Sequence, residues 1–311
     1  MARDQTCTSN GRIFILQVTP PEILALDPDS GRIETILAHP AGIPDGIQVD
    51  VPGNALYWTN MGERPSSGED FPTPDGAIER CDLDGRNHVV LVGHGAIVTP
   101  KQLQFDHESG QLYWCDREGM AVLRCGKDGG KLTTLLRTGR FPDDTGDVLR
   151  HCVGIALDLR GRQLYWTQKG PPDGGLGRIF RMGLDKPNGM TPEGRTDVEL
   201  LIDHLPEPID LEIDHDRNQI YWTDRGDLAG GNSVNRADIT PEGLKNHEVL
   251  ATGLQEGIGI ALDLERRRVF IGDLSGAIRM LAMDGGEMVT IHRCAGPVTG
   301  VAFVPQRGGG D

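Results

Sequence analysis

Side chains that could bind or activate a small molecule recur at two positions of a repeated unit, one ahead of its first apolar segment and one at the end of its second, which in four units carries a Tyr-Trp pair. They combine acids, bases, amides and one thiol, where a purely structural ring would repeat one residue type. The set comprises Asp45, Asn60, Lys101, Gln102, Asp116, Arg117, His151, Cys152, Gln168, Asp210, Asp224 and Glu256. Such a mixture suits an asymmetric small ligand. The alternative is that these side chains are simply solvated.

Four of them, His151, Lys101, Arg117 and Asp45, are candidates for catalysis. His151 can act as a general acid or base near neutral pH, although no Ser or Asp partner for a nucleophilic triad is evident. Lys101 and Arg117 can bind an oxyanion or a phenolate-like oxygen, or instead form salt bridges with Asp116 or Asp45. Replacing His151 or Arg117 with Ala is expected to lower turnover without unfolding the protein.

The elements that must position these residues are repeats. All four Tyr and all four Trp of the chain lie in the Tyr-Trp pairs, whose tyrosines recur every 52 to 56 residues. They are Tyr57, Tyr113, Tyr165 and Tyr221. Phe270 and Phe14 extend the same frame forward and backward, which makes six units.

Each unit contains four short apolar segments of strand length, separated by polar turns such as Asp84-Gly85. Four antiparallel strands in each of six units predict an all-β, six-bladed β-propeller, formed as a single domain by residues 1–311. The first unit, 11–38, lacks a leading strand, and the chain ends with an orphan one at 298–305. We therefore expect the C-terminal strand to complete the first blade.

The Tyr-Trp pairs are better explained by packing than by chemistry. Adjacent residues of a strand point to opposite faces, so each pair offers one ring to each neighbouring blade. A blade cannot bury its own faces, and each ring can remove about 150–250 Å² from water. Asp224, which follows one pair, has a structural alternative as a side chain that fastens a blade edge.

A functional site is expected at the ring face where the innermost strands begin. Loops that enter these strands share this face with loops that follow the second strands, and the long insertions concentrate there. They are residues 61–76, 137–151, 169–177 and 225–233. We expect a small-molecule pocket at this mouth of the central channel, or a protein partner on the same loop-rich face.

Composition excludes several classes of function. The formal net charge of −15 argues against nucleic acid and anionic membranes as partners. No apolar run is long enough to cross a bilayer, and the polar N-terminus lacks a secretory apolar segment, so a cytoplasmic location is expected. The six cysteines show no Cys-x-x-Cys spacing typical of zinc sites, and no phosphate-binding Gly-rich loop indicates a nucleotide cofactor.

The repeats resemble the YWTD (LDL-receptor class B) six-bladed propeller family over nearly the whole chain. Residues 221–224 read YWTD, while YWTN, YWCD and YWTQ each depart at one residue. Animal members are extracellular receptor modules flanked by cysteine-rich domains, and a receptor function is not expected for this chain. Among other six-bladed propellers are enzymes, including strictosidine-synthase-like proteins and a fungal group resembling hetero-Diels–Alderases. That last resemblance implies a metal-independent cyclase acting on an apolar natural-product intermediate, without a cofactor.

Two alternatives remain open. The stretch IPDGIQVD, residues 43–50, is similar to the Pro-Asp-Gly stretch of gluconolactonase-type lactonases, which implies Asp45 as a ligand of a divalent metal. The other residues of the lactonase site have no clear counterpart in this chain. The third possibility is a non-enzymatic propeller that binds a protein partner.

Overall fold

Short apolar strands separated by tight turns fold into six four-stranded antiparallel sheets, each of which is one propeller blade. The computed structural model describes residues 11–64, 71 and 73–305. The inner strands of successive blades contact one another in cyclic order, so the six sheets form a closed ring. The predicted six-bladed propeller is confirmed.

Blade 1 is formed by both ends of the described chain, because the last strand, β24, pairs with the first, β1. Phe14 lies opposite Ala302 in this antiparallel register. The strands of blade 1 are, from the channel outward, β24 (Val298–Pro305), β1 (Gly11–Val18), β2 (Pro21–Leu26) and β3 (Ile33–Ala38). The predicted closure of the first blade by the C-terminal strand is confirmed.

The other five blades are each continuous in sequence, with the innermost strand first. Blades 2 and 3 consist of β4 (Pro44–Asp50), β5 (Ala55–Asn60), β6 (Ala77–Cys81), β7 (Val89–Val92), β8 (Pro100–Asp106), β9 (Gln111–Asp116), β10 (Ala121–Gly126) and β11 (Thr133–Arg137). Blades 4 to 6 consist of β12 (Ile155–Asp158), β13 (Gln163–Gln168), β14 (Gly177–Gly183), β15 (Glu199–Leu205), β16 (Pro208–Asp214), β17 (Gln219–Asp224), β18 (Ser233–Thr240), β19 (Gly243–Thr252), β20 (Gly257–Asp263), β21 (Arg268–Asp273), β22 (Ala277–Ala282) and β23 (Val289–Arg293).

Helix is limited to two single 3-10 turns in the described residues, Val148–Arg150 and Pro192–Gly194. Neither turn is long or apolar enough to cross a bilayer. Each begins after a side chain that caps it, since Asp147 accepts from the Leu149 amide and Thr191 from the Gly194 amide. The first of these turns lies in the insertion before blade 4.

The apolar core lies between the blades, and the Tyr-Trp pairs are its largest components. Trp58, Trp114, Trp166 and Trp222 are at most 1% exposed. Tyr57 packs in one cluster with Trp114 of the next blade, and Tyr113 packs likewise with Trp166. The four indole N–H groups have no hydrogen-bond partner among the described residues. The tryptophans therefore stabilise the ring through apolar area, as the sequence predicted.

Replacing Trp222 with Ala is expected to lower the free energy of unfolding by about 3–5 kcal/mol, because a fully buried indole between blades 4 and 5 is removed. Urea denaturation followed by fluorescence measures this change. The control is Leu200→Ala, whose side chain on the outer strand β15 is 51% exposed and should matter by less than about 0.5 kcal/mol. Equal losses in the two variants would contradict the inter-blade role.

Candidate functional site

Near the start of each of the six inner strands, one residue lies outside the regular pairing with the second strand, and these six residues ring the mouth of the central channel. Each lies at an irregularity in the ladder or just before the strand begins, where the backbone turns from the loop into the blade. By blade order from blade 2, they are Asp45, Lys101, Val153, Ile209, Ile258 and Thr299. The symmetric scaffold thus presents one polar arc, from blades 1 to 3, and one apolar arc, from blades 4 to 6.

The mouth holds a cavity of about 400 Å³. Its lining residues are Val18, Ile43, Asp45, Met61, Arg64, Phe71, Lys101, Arg117, Arg225, Ile258, Leu274, Pro297 and Thr299. A volume of this size accommodates a small organic molecule. The cavity, hereafter the mouth cavity, lies on the face that the sequence predicted.

A hydrogen-bonded pair of opposite charges lies in the polar arc. The Lys101 Nζ donates to Asp45 Oδ1 over 2.6 Å, and the Gln102 amide donates to Asp45 Oδ2 over 3.1 Å. Lys101 Nζ also lies 3.1 Å from the sulfur of Met61. The salt bridge between Lys101 and Asp45, which the sequence left as an alternative, is present, and both side chains line the cavity.

Burial acts on the two members of this pair in opposite directions. It raises the pKa of Asp45, and the neighbouring Lys101 ammonium only partly offsets this effect. It also lowers the pKa of Lys101, where the attraction of Asp45 is opposed by the like charge of Arg117. The proton affinities of the amine and the carboxylate are therefore brought toward each other, which suits proton transfer between them.

The guanidinium groups of Arg117 and Arg225 join that of Arg64 in the charged part of the mouth cavity. The Arg117 Nε donates to Glu118 Oε1 over 2.8 Å, and the guanidinium carbon lies 5.8 Å from the centre of the Phe71 ring. The Arg225 Nε donates to Glu207 Oε2 over 2.9 Å. Carboxylates outside the lining thus hold both arginines in place. Glu118 and Glu207 were not predicted from the sequence.

Two apolar clusters form the remaining walls. Val18, Ile43, Met61 and Phe71 pack together on one side. Ile258 and Leu274 line the other side, where they pack with Val153 and Ile209. Most of these residues follow second strands or precede inner strands, where no periodic pattern identifies them. The mouth cavity is therefore amphipathic, with cations set between two apolar walls.

Hydrogen bonds cross the channel below the mouth. Gln104 from blade 3 donates to Glu212 Oε1 from blade 5 over 3.0 Å, and burial raises the pKa of Glu212 to about 7. Gln102 from blade 3 lies 3.4 Å from the carbonyl oxygen of Thr299 in blade 1. These contacts between non-adjacent blades narrow the channel beneath the cavity, which favours a pocket over an open pore.

The residues predicted at the entry of blade 4 lie elsewhere. Val153, two residues after His151, occupies the mouth position. The position predicted from the repeat for this blade was therefore wrong by one to two residues. His151 is buried, with Nε2 3.0 Å from the Thr145 carbonyl oxygen in the same insertion. Cys152 packs against Trp166 between blades 3 and 4. The described cavity lining includes neither of them, nor Gln168 at the end of β13.

Asp116 and Asp224, the fourth residues of their Tyr-Trp motifs, hold loops in place by accepting hydrogen bonds from backbone amides. Asp116 accepts from the Val98 and Thr99 amides over 2.9 and 2.6 Å, and Asp224 accepts from the Glu207 and Gly226 amides over 2.9 and 3.1 Å. Burial raises the pKa of Asp116 to about 6 and that of Asp224 to about 7. Their carboxylates are directed to backbone rather than to the cavity.

Asn60 has the corresponding role in blade 2, since its amide donates to the Ala41 carbonyl over 2.7 Å and accepts from the Gly62 amide over 2.9 Å. The structural explanation offered for Asp224 therefore extends to Asp116 and Asn60.

Two other predicted ligand-binding residues lie near the cavity without lining it. Asp210 is buried in the channel, where its carboxylate accepts from the amides of Leu211 over 2.9 Å and Ile260 over 3.1 Å. Glu256 is exposed, 3.6 Å from Arg225. Of the twelve residues proposed from sequence, Asp45, Lys101 and Arg117 share the cavity wall, and Gln102 supports Asp45 from behind.

The donor set does not fit a divalent metal. Asp45, the metal ligand implied by the lactonase resemblance, is held by the ammonium of Lys101 and the amide N–H of Gln102. No group of three or more His, Cys, Asp or Glu side chains in the described ranges is arranged to hold a metal ion. A cation placed beside Asp45 would face Lys101 and Arg117, which are themselves positive.

Fold and site together define a six-bladed propeller with an amphipathic cavity at its mouth. No protein-family model matches the chain. It is 41% identical over 293 residues to the low-density lipoprotein receptor-related protein 1 of Pyricularia oryzae, a match covering 91% of this chain and 92% of that protein. The chain belongs to the six-bladed propeller family of that fungal protein.

Other similarities are narrower. The chain is 40% identical over 196 residues to the 3-hydroxyacyl-CoA dehydrogenase-like protein LAM1 of Cochliobolus heterostrophus, covering 62% of this chain but only 40% of that protein. A propeller in the crystal structure of a nidogen/laminin complex superposes with a TM-score of 0.71 at 17% identity, covering 94% and 98% of the two chains. That likeness shows the fold alone.

Replacing Lys101 with Met is expected to destabilise the protein more at pH 8 than at pH 5. Without the ammonium, the pKa of Asp45 rises further, so the native carboxyl binds a proton that the unfolded one has lost. Stability is then retained at low pH and lost as the pH rises through the native pKa. The loss at pH 8 should approach about 3–5 kcal/mol, as for other broken buried pairs.

Urea denaturation at pH 5 and pH 8 measures this difference. The matched control is the double variant Lys101→Met/Asp45→Asn, in which no buried charge titrates at this site and the additional loss at pH 8 should disappear. A deficit that is the same at both pH values in Lys101→Met would show that Asp45 stays ionised in the native variant without its ammonium, and would contradict the prediction.

Proposed function

We propose that this protein is a metal-independent enzyme that binds a small, largely apolar molecule in the mouth cavity and activates one of its oxygen atoms. The observation that carries the proposal is the placement of Lys101, Arg117 and Arg225 around one cavity between two apolar walls, in a chain of net charge −15. Cations concentrated in this way favour a carbonyl or anionic oxygen.

The geometry supports separate roles for the apolar and the charged parts of the site. The apolar walls around Phe71 and Ile258 take up the hydrocarbon part of the ligand. Lys101 and Arg117 polarise a carbonyl or stabilise the negative charge that develops on its oxygen. Because the side chains of Lys101 and Arg117 are mostly buried, such interactions are stronger than they would be in water. The Lys101–Asp45 pair can also pass a proton to or from the ligand.

These capabilities fit a cyclase or cycloaddition-type reaction, the finer activity suggested by the resemblance to hetero-Diels–Alderases. Such a reaction needs two reacting groups held in register and one of them made electron-poor, and positioning supplies most of the acceleration. His151 is not part of this mechanism, because the described cavity lining does not include it. The partner we propose is therefore a small molecule. The cytoplasmic location and the absence of nucleic-acid and membrane partners stay predictions from composition.

A ligand experiment tests the oxygen-binding role. 4-Dimethylaminochalcone, an apolar conjugated ketone, should bind and shift its absorption to longer wavelength as its carbonyl is polarised. Replacing Arg117 with Leu should weaken binding about tenfold and reduce the shift, since one cation of the cavity is lost. Absorption titration measures both effects.

The control is Arg86→Leu, which removes the same charge from a side chain that is 80% exposed in a turn on the opposite face. Thermal melting of each variant establishes that the ring is intact. Unshifted absorption in the parent protein, or equal affinity in the two variants, would overturn the proposed site. A protein-binding role alone would give no chalcone binding.

Metal content separates this proposal from a lactonase centred on Asp45. The desalted protein is expected to contain far less than one divalent ion per chain, and a chelator should leave its melting temperature unchanged, because Lys101 already neutralises Asp45. Elemental analysis and thermal melting measure this. One ion per chain that Asp45→Ala removes would establish the metal-dependent alternative.

A further inference from the structure

The amine of Lys101 is placed as a nucleophile as well as a cation. Among the described residues, it is the one lysine that lines the mouth cavity. It follows Pro100 at the start of β8, where the irregular pairing with β9 turns the side chain toward the channel, and the side chain is 11% exposed. A lysine amine adds readily to carbonyl groups once it is neutral, and burial among apolar groups favours the neutral form.

The neighbouring groups provide for loss of the ammonium proton. Asp45 Oδ1 lies 2.6 Å from Nζ, and Gln102 fixes the other carboxylate oxygen, so the acceptor is held in place. The charged groups that face Lys101 are Asp45, Arg117 and, further away, Glu118. Arg117 repels a second positive charge, and burial lowers the pKa of Lys101 while raising that of Asp45. Transfer of the proton from nitrogen to carboxylate is thereby made easier.

We propose that Lys101 forms an imine with an aldehyde or ketone group of the small molecule bound in the mouth cavity, with Asp45 as the proton carrier. This inference rests on the proposed function, because it needs an apolar carbonyl compound in that cavity. It adds a covalent step at a named atom, and it restricts the substrate class to compounds with a reactive carbonyl.

The step balances without any further reactant. The ammonium of Lys101 gives a proton to the Asp45 carboxylate, and the neutral nitrogen attacks the carbonyl carbon as the C=O π bond breaks. A proton moves from nitrogen to oxygen to give the carbinolamine. Asp45 then returns its proton to the hydroxyl, the C–O bond breaks, and water leaves. The product is a protonated imine beside an ionised Asp45, with the same net charge as the starting pair.

The site suits this product. The positive charge of the iminium ion lies where that of the ammonium was, so Asp45 stabilises both. Arg117 lies along the same wall and can stabilise the oxygen while it is negatively charged. An iminium ion withdraws electrons more strongly than a hydrogen-bonded carbonyl, and this activates a conjugated system for ring closure. The covalent bond also holds the ligand in one orientation between the apolar walls.

Reductive trapping tests the proposal. The full chain is incubated with 2-naphthaldehyde, an apolar aldehyde, and sodium cyanoborohydride, and the product is examined by intact mass and peptide mapping. We expect one reduced adduct per chain, on Lys101, formed at least about tenfold faster than adducts on exposed lysines such as Lys127, which is 56% exposed. Lys101→Arg should lose the rapid adduct while keeping the positive charge.

Two further measurements keep the result interpretable. Asp45→Asn should slow trapping at Lys101 without redirecting it to other lysines, because the proton carrier is lost. If Lys101→Arg does not fold, protection replaces it: 4-dimethylaminochalcone should block the Lys101 adduct in the parent protein and leave the adducts on Lys127 unchanged.

The outcomes separate the two proposals. Labelling of Lys101 no faster than labelling of Lys127, or rapid labelling that persists in Lys101→Arg, overturns the imine. If 4-dimethylaminochalcone still binds with shifted absorption in that case, the proposed function stands and only the covalent step is wrong. If the chalcone does not bind either, the proposed function fails together with the imine.

Discussion

The apolar packing between adjacent blades, here called the seam, is the interaction on which the rest of the structure depends. At every seam, the residue in the Tyr position of one blade packs with the residue in the Trp position of the next. The pairs are Phe14/Trp58, Tyr57/Trp114, Tyr113/Trp166, Tyr165/Trp222, Tyr221/Ile271 and Phe270/Ile15. Because the ring is closed, the packing at each seam affects the width of the mouth. A blade cannot move without changing its contacts with both neighbours.

The Thr that follows a Tyr-Trp pair links adjacent blades at the face that carries the mouth cavity. Thr167 accepts from the Gly154 amide of its own blade over 2.7 Å and donates to the Ile209 carbonyl of the next over 2.7 Å. Thr223 links Asp210 and Ile258 in the same way. These hydroxyls hold the starts of the inner strands, which are the positions that ring the mouth. Contacts between blades therefore help to determine where Ile209 and Ile258 lie.

The sequence predicted the fold well and the site in part, for a physical reason. Strand lengths, Gly turns and repeated aromatics depend on local periodicity, which a single chain displays. The mouth positions of Asp45 and Lys101 followed from the same frame. Blade 4 was misaligned because its inner strand follows an insertion that ends in a 3-10 turn, so His151 appeared where Val153 lies.

The orientation of a side chain is what sequence could not supply. Asp116 and Asp224 stand at the mouth, yet their carboxylates turn back to backbone amides. Conversely, Phe71 and Leu274 belong to loops with no periodic pattern, and only the folded ring brings them to the cavity. The carboxylates behind Arg117 and Arg225 were missed because they come from neighbouring loop positions whose side-chain directions no spacing rule gives.

The Lys101–Asp45 pair is difficult to explain by folding alone. Removing two charges from water costs several kcal/mol, and a buried ion pair is often no more stable than apolar residues of similar volume. Blades 4 to 6 show that apolar residues are accepted at the same positions, since Val153, Ile209 and Ile258 fill them. The pair also lies at the cavity surface, where a ligand can reach it. Chemistry on a bound molecule gives the pair a role that stability does not.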